Sequence, residues 1–328
     1  MESEHQSLLA RLEGRLGPRY HGFAVALALV LILLLALAAY AQGANDLHLG
    51  STLWMLGLNP VMIVYILLVH PLMLRRWQHA MRSLRALTPH ADAAGLQESV
   101  GRRGEWGAML LGSAFGLAVA HDLPGAQGWL RLYSEATSAL MFALLGAVIY
   151  GGLARARRLA AHSRAGLELD VFDGHLLTPF ARWGQSLSLA FVGGISLSLP
   201  FQSYHSLRSI QGVVVYASLI VVALTLFLMS VWTIHVALAR AQDRELARVR
   251  HDLAAAREAL HRHRAGEPTG AEQDPYLQVV VRGIYEKQVL DASTWPFNPT
   301  IVRQLLASTM APLTVYVLKL AFGISAGL

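Results

Sequence analysis

The class of fold follows from residues 22–41, GFAVALALVLILLLALAAYA, which contain no charged side chain. A helix rises about 1.5 Å per residue, so about 20 such residues cross a hydrocarbon core roughly 30 Å thick. The whole chain has the same character, because 54% of its 328 residues are apolar and only 15% are charged. The sequence therefore predicts a protein of membrane-spanning helices.

The same stretch must also be compared with a signal peptide, because Ala39-Tyr40-Ala41 has the small-x-small spacing of a cleavage site. The apolar run is longer than the usual core of a signal peptide, and the leader before it contains glutamates. We therefore interpret residues 22–41 as a retained helix.

Further apolar stretches have the length of a span or come close to it. They are residues 51–74, 106–121, 136–153, 184–201, 210–237 and 305–327. The last one is also compatible with a helix that lies at the membrane interface. We thus predict an all-α polytopic transmembrane protein of six or seven spans, with a cytoplasmic helical extension.

The distribution of arginine predicts the orientation, since basic residues accumulate in cytoplasmic loops. Arginines are frequent in the leader, after the second and fourth spans and in residues 240–303, whereas the opposite loops carry only Arg131 and Arg208. We expect a bacterial inner-membrane protein with a cytoplasmic N terminus.

The spans divide the chain into eight regions. These are a cytoplasmic leader (1–21), spans one and two (22–74), a cytoplasmic helical loop (75–105), a hairpin of spans three and four (106–153), a cytoplasmic loop (154–183), spans five and six (184–237), a cytoplasmic rod and linker (238–303) and a transmembrane or interfacial seventh helix (304–328).

Span six is predicted to continue as one helical rod, because no helix breaker occurs before Gly266. Apolar side chains recur along it at spacings of three and four, which is a heptad seam. They are Leu246, Val249, Leu253, Ala256 and Leu260. A seam of about two heptads is compatible with a self-associating coiled coil and with packing on a neighbouring helix of the same chain.

Proline-containing turns precede two predicted spans. Thr178 is a predicted N-cap followed by Pro179 in the first turn, and Phe180 and Trp183 are predicted to anchor the membrane interface. Residues 295–299, WPFNP, have a similar arrangement before the last span.

Two short segments carry a resemblance to other proteins. Leu169-Asp170 followed by Pro179-Phe180-Ala181-Arg182, and Trp295-Pro296-Phe297, resemble segments of a group of uncharacterised bacterial multi-pass inner-membrane proteins. The resemblance covers about residues 165–300. It implies an architecture of several spans and no particular activity.

Acidic side chains are absent from the interiors of the predicted spans, where a coupled transporter would place a carboxylate for its proton or cation. Asp46, Glu105, Asp122 and Glu135 all fall at or beyond span ends. This pattern disfavours secondary transport.

Polar residues within the spans are candidates for a pore wall or a gate. They are His70, Ser186, Ser188, Ser196, Ser198 and Lys319. The alternative for the serines is close helix packing in which each hydroxyl bonds the previous turn. Beside His70, Pro71 is predicted to kink span two, so the histidine is either a pH sensor or the partner of a freed carbonyl. Lys319 alternatively extends to the outer interface.

We expect no cofactor, metal or nucleic acid. The chain has no cysteine, and its densest histidine group, His251, His261 and His263, lies on an arginine-rich rod that repels cations. The net charge of +6 is spread over loops without a compact basic domain. Nucleotide and nucleophile motifs are absent, so an enzyme is not favoured.

These features predict an oligomeric channel or pore with passive permeation, coupled to the cytoplasmic helices. One alternative is a non-conducting scaffold or sensor subunit that binds a protein partner through its rod. A second alternative is a secondary transporter. The expected partners are membrane lipid and further copies of the chain, with a cytoplasmic protein as a third candidate.

Overall fold

The structure is a computed structural model, and it describes residues 7–42, 48–87, 101–121, 128–164, 178–202, 209–265, 274–292 and Thr314. Within these ranges all regular secondary structure is helical, which agrees with the predicted all-α class. The α-helices are α1 (Leu8–Leu16), α2 (Tyr20–Ala41), α3 (His48–Leu56), α4 (Leu58–Leu87), α5 (Arg102–His121), α6 (Gly128–Arg164), α7 (Thr178–Ser198), α8 (Ile210–Arg264) and α9 (Pro275–Asp291).

Several helices have the length and composition of a membrane span. They are Leu8–Ala41, Thr52–Ser83, Gly128–Leu159, Arg182–Phe201 and Gly212–Met229. The chain is therefore a helical membrane protein. Predicted span three forms α5, which is not among these five and carries Arg102, Arg103 and Glu105 in its first turn. The predicted seventh span and Lys319 lie outside the described residues.

The helices pack as a bundle around α4, which contacts α2, α6 and α7. Helix α6 also packs against α5 and α8, and α8 packs against α7. The core between them includes Ile63, Leu67, Phe180, Trp183 and Leu187, each with at most 2% of its surface exposed. Apolar side chains on α4, α6, α7 and α8 thus meet in one interior.

The prediction that Phe180 and Trp183 anchor the membrane interface is wrong. Both side chains are fully buried inside the bundle. The ring of Trp183 lies 4.7 Å from that of Trp77 on α4, in a tilted arrangement. Contact between large aromatic rings inside the bundle contributes more stabilising free energy than exposure of the same rings to lipid. The aromatic side chains in the first turns of α7 therefore face the interior.

Glycines bring α5 and α6 into close contact as a hairpin. A Cβ added to Gly112 would overlap the carbonyl of Phe142, and one on Gly116 would lie 2.6 Å from the carbonyl oxygen of Ser138. Gly146 of α6 faces the carbonyl of Ala108 in the same way. The Gly112-x-x-x-Gly116 pair therefore serves contact within the chain, because small residues let two helix backbones approach.

Helix α8 is a single helix of 55 residues, Ile210–Arg264. At about 1.5 Å per residue it is roughly 80 Å long, far more than a bilayer requires. Its first part packs in the bundle against α6 and α7, and its last part packs against α9. The predicted uninterrupted helix up to Gly266 agrees with this element.

Candidate functional site

A partly open cavity of about 450 Å³ lies between α4, α6, α7 and α8. This volume is within the range of pockets that bind small molecules, roughly 300–1,000 Å³. Ala190 and Gly194 of α7 face α4 at this place, where larger side chains would fill the space. Tyr65 of α4 closes part of the gap and donates a hydrogen bond to the carbonyl of Ala190 at 2.7 Å.

The cavity extends along α4. Helix α4 lines it at each turn over about four turns, with Leu58, Met62, Ile66, Val69 and Met73. The corresponding rise, at about 1.5 Å per residue, is roughly 22 Å. The cavity therefore follows α4 through most of a hydrocarbon core of about 30 Å.

One end of the cavity is polar but uncharged. Asn59 donates its amide hydrogens to the hydroxyl oxygens of Thr137 at 2.9 Å and Ser138 at 3.0 Å. The hydroxyls of Ser198 and Tyr216 lie 2.9 Å apart. Asn59, Ser138, Ser198 and Tyr216 all line the cavity, and no charged side chain occurs among its described lining residues.

This polar end lies where α4 begins and α7 ends. The indole of Trp54, just before α4, donates to the carbonyl of Pro200 at 3.2 Å and stacks on Phe201. The opposite end is lined by Met73 and Val148 and is apolar. The cavity thus has a polar end and a longer apolar part, which is the distribution of polar and apolar groups in an amphiphilic molecule.

The four candidate serines of α7 do not form one wall. The hydroxyls of Ser186, Ser196 and Ser198 donate to carbonyls of the preceding turn at 2.7, 2.9 and 2.8 Å. Ser188 is buried and Ser196 is exposed, and of the four only Ser198 lines the cavity. The structure favours the alternative of helix packing, because each of these three hydroxyls donates its hydrogen bond to a backbone carbonyl of its own helix.

His70 belongs to a second buried cluster that lies outside the cavity lining. His70, Glu105 and Arg155 are 4%, 2% and 5% exposed, and the charge of Arg155 acts on both other residues. The Nδ1 atom of His70 has no hydrogen-bond partner within the described ranges. Helix α4 continues unbroken through the neighbouring Pro71. The structure thus buries His70 outside the lining of the cavity.

Glu105 connects α5 to the N terminus of α1. Its two carboxylate oxygens accept the backbone N–H of Leu8 at 2.9 and 3.1 Å. A carboxylate at a helix N terminus satisfies a free donor and complements the helix dipole. Burial raises the pKa of the Glu105 carboxyl, and the bond from Leu8 and the charges of Arg11 and Arg155 oppose that rise. The sequence predicted only that Glu105 falls at a span end.

Of the other acidic residues noted in the sequence, the structure describes only Glu135. Glu135 pairs with Arg131 one turn away at 2.9 Å and is partly exposed. Asp46 and Asp122 lie outside the described residues.

The predicted seam on α8 is covered by α9. Leu246, Val249, Leu253 and Ala256 are buried, and Leu260 is partly exposed. Gln242 donates to the carbonyl of Val289 at 2.7 Å, and Arg250 pairs with Glu286 at 2.9 Å. The sequence was compatible with self-association through the seam and with packing on a helix of the same chain. The structure has the second arrangement, with α9 packed on α8.

Sequence reasoning missed Asn59, Ser138 and Tyr216 as residues of the cavity. Each is a polar side chain within a predicted span, and that signal alone could have singled them out. Their proximity could not be predicted, because they come from three helices far apart in the chain.

The fold and the cavity define a multi-pass helical membrane protein in which one membrane helix extends into an attached helical hairpin. The chain matches no protein-family model, no curated protein and no solved structure.

Proposed function

We propose that this chain is a non-conducting subunit of the bacterial inner membrane that serves as a sensor or scaffold for a protein partner. The observation that carries the proposal is α8, which is at once a wall of the membrane bundle and the first arm of the α8–α9 hairpin. A continuous helix transmits a displacement along its axis, so a change in the bundle would move the hairpin.

The proposed topology has seven spans, with α5 as the third and residues 305–327 as the last. The N terminus and the α8–α9 hairpin are cytoplasmic, because their arginines belong on that side. Helix α5 is included because its glycine contacts with α6 continue from Gly112 to Gly116, as expected of two adjacent spans.

The contact for a partner is proposed on the side of α9 that faces away from α8. Leu277, Val280, Val281 and Ile284 are between 45% and 59% exposed there. Large exposed apolar side chains at helical spacing are typical of a protein contact surface. The partner is accordingly a protein with a complementary apolar surface.

A non-conducting role is favoured over a passive channel because the polar side chains of α7 are used within their own helix and the cavity walls are mainly apolar. Ions need polar groups or water along their path. The rival proposal is a passive channel in which ions pass between copies of the chain.

Planar-bilayer recording of the purified full-length protein tests the proposal. We expect no current above that of the protein-free bilayer when voltage, pH and lipid composition are varied. Reproducible currents that scale with the amount of protein would overturn it in favour of the passive channel. Uptake driven by an ion gradient in proteoliposomes would favour a transporter.

The α8–α9 hairpin can be tested with Ala256→Asp. Ala256 is 2% exposed beneath α9, and a buried aspartate without a partner costs several kcal/mol, so the hairpin should open. The chain has no cysteine, so Arg250→Cys and Glu286→Cys can report the contact through a short bismaleimide cross-link. We expect the cross-linking yield to fall at least roughly fivefold.

The matched control is Ala255→Asp, the same change at the neighbouring exposed position, which should leave the yield unchanged. Equal yields in the two variants would contradict the packing of α9 on the seam.

A further inference from the structure

We propose that the cavity binds a single-chain amphiphile with an uncharged head, of the class of monoacylglycerols and isoprenoid alcohols. The polar head would lie at the Asn59 end and the chain would extend along α4 toward Met73. This inference concerns the membrane bundle alone and does not rest on the role of the α8–α9 hairpin.

The shape of the cavity favours one extended chain. It follows α4 turn by turn from Leu58 to Met73, yet its volume is only about 450 Å³. Two acyl chains side by side would need a larger volume. A single flexible chain is the ligand that matches both the length and the volume.

The side chains of the apolar part suit a flexible tail. Met62, Met73 and Met141 line it together with branched aliphatic residues such as Val69. Methionine is unbranched and adapts to irregular surfaces, and it is frequent where a site accepts ligands of varied shape. The tail is already shielded from water in the bilayer, so the fit of the chain to the cavity walls and the hydrogen bonds of the head favour the cavity over the surrounding lipid.

The polar end selects an uncharged head. Its described lining includes Asn59, Ser138, Ser198, Gln202 and Tyr216, all of which are neutral donors and acceptors. A phosphate or carboxylate placed there would be buried without an opposite charge, which is strongly unfavourable. A hydroxyl or ester can instead exchange hydrogen bonds with these groups.

The cavity is distinct from ordinary lipid contact. Val221 of α8 is 61% exposed on the outside of the bundle, as expected for a lipid-facing side chain. Val69 is only partly exposed and faces the cavity. Phenylalanine at position 69 would fill the cavity, whereas phenylalanine at position 221 would only add apolar surface toward lipid.

The test uses the full-length protein in phospholipid nanodiscs and a monoacylglycerol analogue that carries a diazirine at the end of its chain and an alkyne for detection. After irradiation, we expect saturable labelling near Val69, Met73 and Val148, at the apolar end. Unlabelled monooleoylglycerol should compete at least tenfold more effectively than oleate, because oleate carries a charged head.

Val69→Phe is expected to reduce the labelling at least tenfold, and the matched control Val221→Phe should leave it unchanged. The map of labelled residues in the unsubstituted protein needs no variant, so the proposal stays testable if Val69→Phe fails to fold. Labelling spread evenly over lipid-facing residues, or equal competition by oleate, would overturn it. Absence of labelling at α4 would also overturn it.

Discussion

Glu105→Gln is expected to lower the free energy of unfolding by about 1–3 kcal/mol, because it removes a buried carboxylate that accepts the N–H of Leu8 and lies in the field of Arg11 and Arg155. Glutamine keeps the shape of the side chain and can still accept a hydrogen bond from the N–H of Leu8. It cannot balance the charge of Arg155, which is only 5% exposed. The loss therefore comes from the buried guanidinium that remains, and unfolding by SDS in mixed micelles measures it through tryptophan fluorescence.

Two further variants separate this effect from a general loss of charge. Glu135→Gln removes a carboxylate that is paired with Arg131 but partly exposed, and such a pair contributes about 0–1 kcal/mol. Adding Arg155→Met to Glu105→Gln removes the unbalanced charge as well, so the double variant should recover most of the lost stability. If Glu105→Gln were no more harmful than Glu135→Gln, the electrostatic account of this cluster would be incorrect.

Gly112→Ala is expected to destabilise the α5–α6 hairpin by about 1–3 kcal/mol or more, since overpacking at a fixed contact costs that amount. The new Cβ would overlap the backbone carbonyl of Phe142, which cannot rotate away as a side chain could. The two helices must therefore separate, and the contact at Gly116 weakens with them. The same SDS titration reports the change.

The matched control is Gly107→Ala on the same helix. A Cβ at Gly107 meets no atom within 4 Å, so the substitution adds only the helix propensity of alanine. That gain is about 1 kcal/mol relative to glycine, so Gly107→Ala should be neutral or stabilising. A Gly112→Ala protein as stable as the Gly107→Ala protein would show that α5 and α6 do not approach as closely as described.

The long helices were predictable because their signals are local. Residues 22–41 lie within α2, and the rod predicted to continue up to Gly266 corresponds to α8. Hydropathy and the absence of helix breakers are properties of a short window of sequence. These properties show that a segment is helical and apolar. In a fully apolar helix, however, all sides have similar hydropathy, so the sequence does not show which side contacts a neighbouring helix.

The candidate sites depended on that missing information. The serines of α7 are polar enough to line a pore, and their composition alone does not show which side of the helix they occupy. The packing of Gly193 and Gly194 against Tyr65 shows which side faces the interior. The heptad seam predicted a partner helix without specifying it. The structure places α9 there, through contacts such as Arg250 with Glu286.

The sequence by itself determined that this chain forms apolar helices long enough to cross a membrane and that one of them continues as a rod, since these features depend on residues close together in the chain. Only the tertiary structure decided that Glu105 caps α1, that Trp183 faces inward and that a cavity with one polar end lies along α4. The hydrogen bond from Leu8 to Glu105 joins residues 97 positions apart. Such contacts depend on how the surfaces of several helices fit together, and no local pattern encodes that fit.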